Sequence, residues 1–318
     1  MPTLEDQEFG DGPVLVIGAA GTDLVGRIQS ELQPGTSNPA EIRSSFGGVA
    51  RNVAENLARF GQPVRLLSAV GADDAGERLL QQTSSAGVDT SAVLKTSEYA
   101  TGAYLALVNP KGELQFALDD MRITQAITAD YLRAHEAFFR QASLIFVDGN
   151  LTPGALRAAF SLAKKAKKPV CADPTTTSLA PRFAPYLDRL LLITPNHKEA
   201  SIFCGYEIDI NNDAQVQEAA RYLVGQGVGL VVITLGEHGL CYATSETWGT
   251  IPAIRTEVVD PTGAGDALSA TLIFGLLNDI PLDDAVRLGV SAASLTLRHR
   301  GAVRADLSLE QLYNHLVF

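Results

Sequence analysis

The stretch DPTGAGDALSATLIFGLL, Asp260 to Leu277, decides how the chain is organised. Gly263 and Gly265 bracket a small residue, Ala264, and run directly into Asp266, after which the sequence is almost unbroken apolar. A glycine turn that opens a helix leaves several backbone N–H groups free and converging on one spot. The helix dipole adds partial positive charge there, so such a place suits an anion, for example a phosphate. Asp266 stands inside this anion site. A fixed negative charge opposes simple phosphate binding. It fits a carboxylate that accepts a proton from a hydroxyl attacking a phosphorus held by those N–H groups. An ordinary helix start with an acidic first turn would look the same in isolation.

Upstream, Ser44 to Gly61 reads SSFGGVARNVAENLARFG. Val49, Val53, Leu57 and Phe60, with Ala50, Ala54 and Ala58, recur at helical spacing. Gly61 suits the position just past the helix end. The helix therefore begins at the Gly47-Gly48 pair, where backbone can approach a ligand closely. Asn52 falls one turn in, a poor place for asparagine unless its amide has a partner. A sugar hydroxyl is a candidate partner, because a carboxamide both donates and accepts; a solvated surface position is the alternative. Val14 to Ile17 reads as the first strand and ends in Gly18-Ala19-Ala20-Gly21-Thr22-Asp23. That glycine spacing is not GxGxxG, so a nicotinamide cofactor is not expected. Asp23 sits just past the carboxyl end of this strand, where open α/β sheets bind ligands, or is a plain turn residue.

Two later turns that follow strands carry polar residues, the first of them handing over to a helix. In Thr194-Pro195-Asn196-His197-Lys198-Glu199, Asn196 and Glu199 are three apart. They could share a helix face and meet hydrated Mg²⁺ beside phosphates, or form a capping-box variant, and both can hold at once. Thr234-Leu235-Gly236-Glu237-His238-Gly239 is a glycine turn after a strand, suited to nucleotide phosphate or to a simple β-turn.

The remaining pattern predicts an α/β fold, doubly wound, with a central mostly parallel sheet flanked by helices. Strands are expected at 64–70, 144–147, 169–172, 190–193 and 230–234, and helices near 75–86, 128–140, 153–167, 197–204 and 213–226. Leu240 to Ala243 and Trp248 to Ala253 read as antiparallel edge strands. Runs at 102–108 and 113–118 flank Asn109-Pro110-Lys111-Gly112, a tight hairpin turn. This hairpin is expected to leave the main sheet and form a small lid with strands near residues 20–45. The expectation is a single domain over residues 1–318, with a lid built from about 19–45 and 95–122.

The 318 residues are 46% hydrophobic, enough for a sizeable core, and the formal net charge is −11. That charge argues against nucleic acid or an anionic membrane as a partner, but leaves room for a phosphorylated ligand held by local N–H groups. Cys171, Cys204 and Cys241 are scattered, without a CxxC, and suggest neither a disulfide framework nor a zinc site. The acidic, polar N-terminus does not read as a signal peptide, and there is no membrane-spanning apolar run. A cytoplasmic location is expected. No Gly-Lys dipeptide, HExxH or GxSxG occurs, so a Walker A loop, a zincin site and a hydrolase elbow are not expected.

Taken together, the stretches at 44–61 and 260–277 resemble the two signatures of the PfkB/ribokinase family of carbohydrate and nucleoside kinases. The resemblance runs from the first strand to the last helices and implies a ribokinase-like fold. By that resemblance Asp266 is the catalytic base, and Gly263, Ala264 and Gly265 form the anion hole for the transferring γ-phosphoryl group of ATP. Asn196 and Glu199 match the family's NxxE element, which organises Mg²⁺ through water. Thr234, Gly236 and Gly239 match the turn at the ATP site. Asp23, Gly47, Gly48 and Asn52 match contacts to sugar hydroxyls. Asp260, Thr262 and the turn near Gly301 sit where many members bind a monovalent cation such as K⁺. Within the family, GGVARNVAENLARFG is more similar to the pseudouridine kinases than to the GGKGANQA-like version usual in ribokinases. Asp119-Asp120-Met121 and Asp148-Gly149-Asn150-Leu151 point the same way. Arg122 and Thr271 depart from the pattern, since an acidic residue and a Gly or Ala are usual there. The implied acceptor is the primary hydroxyl of a ribose-like small molecule, pseudouridine first. Ribokinase, fructokinase-like or other nucleoside kinase activity is the alternative, and a catalytically silent sensor a further one. Lid hairpins in such kinases can also pair two subunits into a homodimer.

Overall fold

The first strand, β1 (Val14–Ile17), shows how the main sheet is built. Leu15 and Ile17 face one apolar core, Val14 and Val16 face another, and every side chain of the strand is buried. Alternation between two covered faces is what a strand between two helical layers requires. The computed structural model describes Leu4, Gln7, residues 9–111 and residues 113–316. The further strands are β2 (Gly21–Ile28), β3 (Ala40–Gly47), β4 (Val64–Leu67), β5 (Ala69–Gly71), β6 (Leu94–Thr96), β7 (Gly102–Val108) and β8 (Leu114–Asp120). After them come β9 (Ile145–Asp148), β10 (Val170–Asp173), β11 (Leu190–Ile193), β12 (Leu230–Thr234), β13 (Leu240–Ala243) and β14 (Trp248–Ile251). The main sheet has eight strands in the order β14-β13-β12-β11-β10-β9-β1-β4. It is parallel from β4 to β12, and β13 and β14 add an antiparallel edge. This is the doubly wound α/β arrangement that the alternating pattern predicts.

Helices cover both faces. On one side lie α1 (Val49–Arg59), α8 (Ala264–Leu277), α9 (Leu282–Leu297) and α10 (Leu309–Asn314). On the other lie α3 (Ala129–Ala134), α4 (Glu136–Gln141), α5 (Pro153–Ala166), α6 (His197–Cys204) and α7 (Asp213–Gly225), while α2 (Asp74–Ser85) packs a small satellite core through Leu79. Helix α8 is apolar all round, and it is packed between α1 and α9. A Cβ at Gly275 would stand 2.6 Å from the Ala285 Cβ, so α8 and α9 touch more closely there than a larger residue allows. Thr271 is buried in α8, and its hydroxyl donates to the Ala267 carbonyl at 2.7 Å, which satisfies the polar group inside the helix. No helix among the described residues is long and apolar enough to cross a membrane.

A second sheet stands apart from the first, in the order β3-β2-β7-β8. The hairpin β7–β8 thus pairs with the strands from residues 21–47. Gly112, placed by the sequence reading in its turn, lies outside the described residues; Asn109 Oδ1 accepts from the N–H groups of Lys111 and Glu113, each at 2.9 Å. The sheet is two-faced. Asp23, Ser45, Tyr104 and Asp119 form one cross-strand row. The opposite face exposes Ile42, Leu105, Phe116 and Leu118.

Local corrections have identifiable causes. The expected strand at 64–70 breaks at Ser68, whose hydroxyl donates to the Gly18 carbonyl at 2.6 Å, and β5 turns aside to pair with β6. The expected helix at 128–140 divides at His135, where Thr128 caps the first half. Asp23 is a residue of β2, not of a turn. Helix α9 and a proline-bearing 3₁₀ stretch, Ala180–Arg189, occupy segments for which the pattern suggested no range.

Candidate active site

The polar residues gather at the carboxyl edge of the parallel strands, where open α/β sheets expose the free ends of their turns. Asp148 ends β9, Asp173 ends β10, Asn196 follows β11 and Thr234 ends β12. The N-termini of α1 and α8 both carry site residues. Gly48 and Gly263 occupy their N-cap positions with φ of 93° and 80°. A Cβ at Gly263 would lie 1.9 Å from the Ala302 carbonyl oxygen, and one at Gly48 2.5 Å from that of Ala19. Both glycines are therefore demanded by backbone twist and by neighbouring backbone.

Asp266 lies in the first turn of α8 and is 8% exposed. Its Oδ2 accepts a hydrogen bond from Asn52 Nδ2 at 2.7 Å, across a sequence separation of 214 residues. Burial pushes the Asp266 carboxyl up to about 7. The Asn52 bond pulls against that shift, Asp148 and Asp23 add to it, and the charge of Arg51 opposes it. A carboxylate with proton affinity near neutrality, held by one amide at the mouth of a helix, is suited to take a proton from an alcohol.

Asp23 faces the same region from β2. It is 5% exposed, and its Oδ2 is buried without a hydrogen-bond partner. Burial, aided by Asp260 and Asp119 and opposed by Arg51, lifts its carboxyl to about 6. A buried, unpaired carboxylate oxygen is unfavourable unless a donor arrives, and a ligand hydroxyl is such a donor. Gly47 is shaped to this carboxylate, since a Cβ there would fall 2.2 Å from Asp23 Oδ2.

On the other side of the α8 N-terminus is a cavity of about 300 Å³. Thr234, Gly236, Gly239, Ala264 and Gly265 line one part of it, and Ile254, Leu268 and Val290 give it apolar walls. Apolar walls beside a cluster of small backbone-exposing residues suit a flat base joined to phosphates. Gly265 faces open space, for an added Cβ would meet no protein atom within 4 Å. Larger hollows of about 780 and 530 Å³ lie elsewhere and contain none of the residues singled out from the sequence.

Asn196 and Glu199 meet, as a complete capping box at the start of α6. Glu199 accepts from Asn196 N at 2.9 Å and from Asn196 Nδ2 at 2.7 Å, so both its oxygens are engaged. Asp173 is buried nearby, and burial first, then Glu199 and Asp266, drives its proton affinity well upward. These acidic groups concentrate negative charge that a divalent cation would relieve. With Glu199 already hydrogen-bonded, the residues fit a hydrated ion better than direct ligation. Among the described residues no group of three or more His, Cys, Asp or Glu side chains is arranged to hold a metal directly. The Asp260 carboxylate ties two loops together, accepting from Thr262 N at 2.9 Å and Gly301 N at 3.0 Å.

Two residues near the site were given no site role from the sequence, Asp148 having served only as part of a subfamily signature. Asp148 accepts from Ala19 N, Ala50 N and Asn150 N, at 2.8, 3.0 and 2.9 Å, and so pins the β1 turn to the start of α1. Asp173 contributes the charge described above. An acidic residue closing an apolar strand run was the available signal in both cases.

A buried, titratable carboxylate in the first turn of a glycine-opened helix, bonded to Asn52 and close to a cavity with apolar walls, is an arrangement that a phosphotransferase with an alcohol acceptor can use. The chain belongs to the pfkB family of carbohydrate kinases, whose model matches residues 12–308. It is an ATP-dependent kinase of the sugar and nucleoside class. It is 34% identical to the pseudouridine kinase of Escherichia coli over 93% of this chain and 94% of that protein. It is 28% identical to the ribokinase of Staphylococcus aureus over 94% and 98% of the two chains. The structure of Arabidopsis thaliana ribokinase complexed with ribose and ATP superposes with a TM-score of 0.82, at 21% identity, covering 96% of this chain and 99% of that one.

Proposed function

We propose that the protein transfers the γ-phosphoryl group of ATP to the 5′-hydroxyl of pseudouridine, giving pseudouridine 5′-phosphate. The Asn52–Asp266 hydrogen bond carries this reading. The raised proton affinity of Asp266, the unpaired buried oxygen of Asp23 and the glycine-opened start of α8 support the same assignment. Asn52 and Asp23 hold acceptor hydroxyls, while Asp266 takes the proton of the attacking hydroxyl. Gly263, Ala264 and Gly265 direct backbone N–H groups at the phosphoryl group, where charge builds up. Thr234, Gly236 and Gly239 hold the nucleotide. Asn196 and Glu199 would hold hydrated Mg²⁺, which when bound neutralises phosphate charge, and Asp260 and Thr262 would hold a monovalent cation.

In this reading the residues form one kinase domain, and the second sheet, with its polar row toward the acceptor, acts as a lid that excludes water. Its outer face exposes Ile42 by 72%, Leu118 by 66% and Phe116 by 58%, which favours burial against a second copy of the chain. Three free thiols accord with a reducing cytoplasm.

The similarity to pseudouridine kinase supports the acceptor, and the similarity to ribokinase keeps ribose as the second reading. The purified protein, given ATP and Mg²⁺, is tested on pseudouridine, uridine, ribose, fructose and adenosine. Preferred turnover of pseudouridine is expected. Turnover of ribose with none of pseudouridine would discard the acceptor and keep the reaction. No turnover with any acceptor would favour a silent sensor, a role for which the retained Asp266 has no use.

A further inference from the structure

Arginine 51 is fully enclosed, 1% exposed, although it carries a charge and belongs to the first turn of α1. A buried guanidinium is tolerated only where its donors are satisfied. It has five N–H donors and no acceptor. All are used: Nε donates to Thr83 Oγ1 at 3.3 Å, and Nη1 to the Phe46 carbonyl and to Asn52 Oδ1, each at 2.9 Å. Nη2 donates to Glu55 and to Gln82 Oε1. Glu55 is itself shared with Arg59, which spreads the ion pair toward the surface.

The bond to Asn52 has a directional consequence. A carboxamide can present either its oxygen or its NH₂ to a neighbour. Arg51 can only donate, so Asn52 must turn its oxygen toward Arg51 and its NH₂ toward Asp266. The opposite orientation would set two donors against each other and a carbonyl against a carboxylate.

We propose that Arg51 is a positioning residue: its guanidinium locks the Asn52 amide so that Asn52 donates to the catalytic carboxylate of Asp266. The inference rests on the proposed reaction. Its energetic direction is clear from the surrounding charges. Burial first, then Asp148 and Asp23, disfavour ionisation of Asp266, and the Asn52 bond and the Arg51 charge oppose them. Without the lock, Asp266 holds its proton more tightly and fewer molecules carry a working base.

The test compares Arg51→Lys and the double variant Arg51→Met/Glu55→Met with the unaltered protein. The double change avoids stranding a buried Glu55 carboxylate. Lysine keeps the charge but cannot reproduce a five-donor fork. Cooperative thermal unfolding establishes folding, and kcat and KM are then measured across pH. The expected result is a fall in kcat of about tenfold at neutral pH, with the acid limb displaced upward by about one pH unit, the usual scale for losing one charge-assisted contact. KM for ATP is expected to stay unchanged. A folded variant with the parental pH profile would overturn the inference while leaving the reaction intact. Failure of both variants to fold would assign Arg51 to stability and overturn it too. An unaltered protein inactive on every acceptor would remove the reaction, and this role with it.

Discussion

Replacing Gly265 with alanine separates the demands of the fold from those of the ligand. Gly265 is the second residue of α8, and its φ is not in the left-handed region. The new methyl group would meet no protein atom within 4 Å. Alanine in place of glycine inside a helix stabilises by about 0.5–1 kcal/mol, and a first-turn position should give the lower end. For a protein of this size that is a rise in Tm of about 1–2 °C. The same methyl group, however, enters the cavity lined by Thr234, Gly236 and Gly239. If phosphates lie there, crowding them should cost about 1–3 kcal/mol, by analogy with overpacked cores. That corresponds to a loss of about 5- to 150-fold in kcat/KM for ATP. Scanning fluorimetry and a coupled assay of ADP release read the two effects separately. Gly263→Ala is the contrast: with φ of 80° and the Ala302 carbonyl 1.9 Å from the added Cβ, it should lower Tm outright. A Gly265→Ala protein with full activity would refute the anion hole, and a lowered Tm would refute the open-space reading.

Asp266→Asn should cut kcat by about 10²–10⁴-fold, the scale of positioned acid–base catalysis, with acceptor affinity little changed. In the unaltered enzyme kcat should rise with pH through about 7, as the Asp266 base loses its proton. Stability runs the other way. The carboxyl goes from its ordinary 3.8 to about 7 on folding, so the native state binds more protons in that window and loses stability as pH rises through it. Asp266→Asn should remove that loss and raise Tm at pH 8; an unchanged pH–Tm curve would contradict the burial argument. On the outer face of the second sheet, Phe116→Lys with Leu118→Lys should convert a dimer to a monomer in sedimentation equilibrium, and a monomeric unaltered protein would dismiss the lid interface.

Much of this was legible along the chain because the signals are local. Apolar runs such as Leu230-Val231-Val232-Ile233 have one comfortable place, inside a sheet covered on both sides, and β12 is where they lie. Helix α6 begins where Asn196 and Glu199 say it should, since a capping box is written in adjacent residues. Less legible were places where a distant group decides. The strand breaks at Ser68 because the main chain changes partner there: the Leu67 carbonyl accepts from Gly18 N and the Ser68 carbonyl from Leu94 N. Asp23 looks like a turn residue until β2 is paired with β3 and β7.

The residue types and spacings by themselves determined the layered sheet, the glycine-opened helix and the identity of the acid at its mouth. These depend on periodicity, backbone freedom and side-chain chemistry, which are properties of short segments. Tertiary structure alone decided that Asn52 reaches Asp266, that Arg51 dictates which way that amide faces, and that Asp23 keeps an unpaired oxygen. Proton affinity and hydrogen-bond direction depend on burial and on charges brought together from far along the chain, and neither exists until the layers have closed around them.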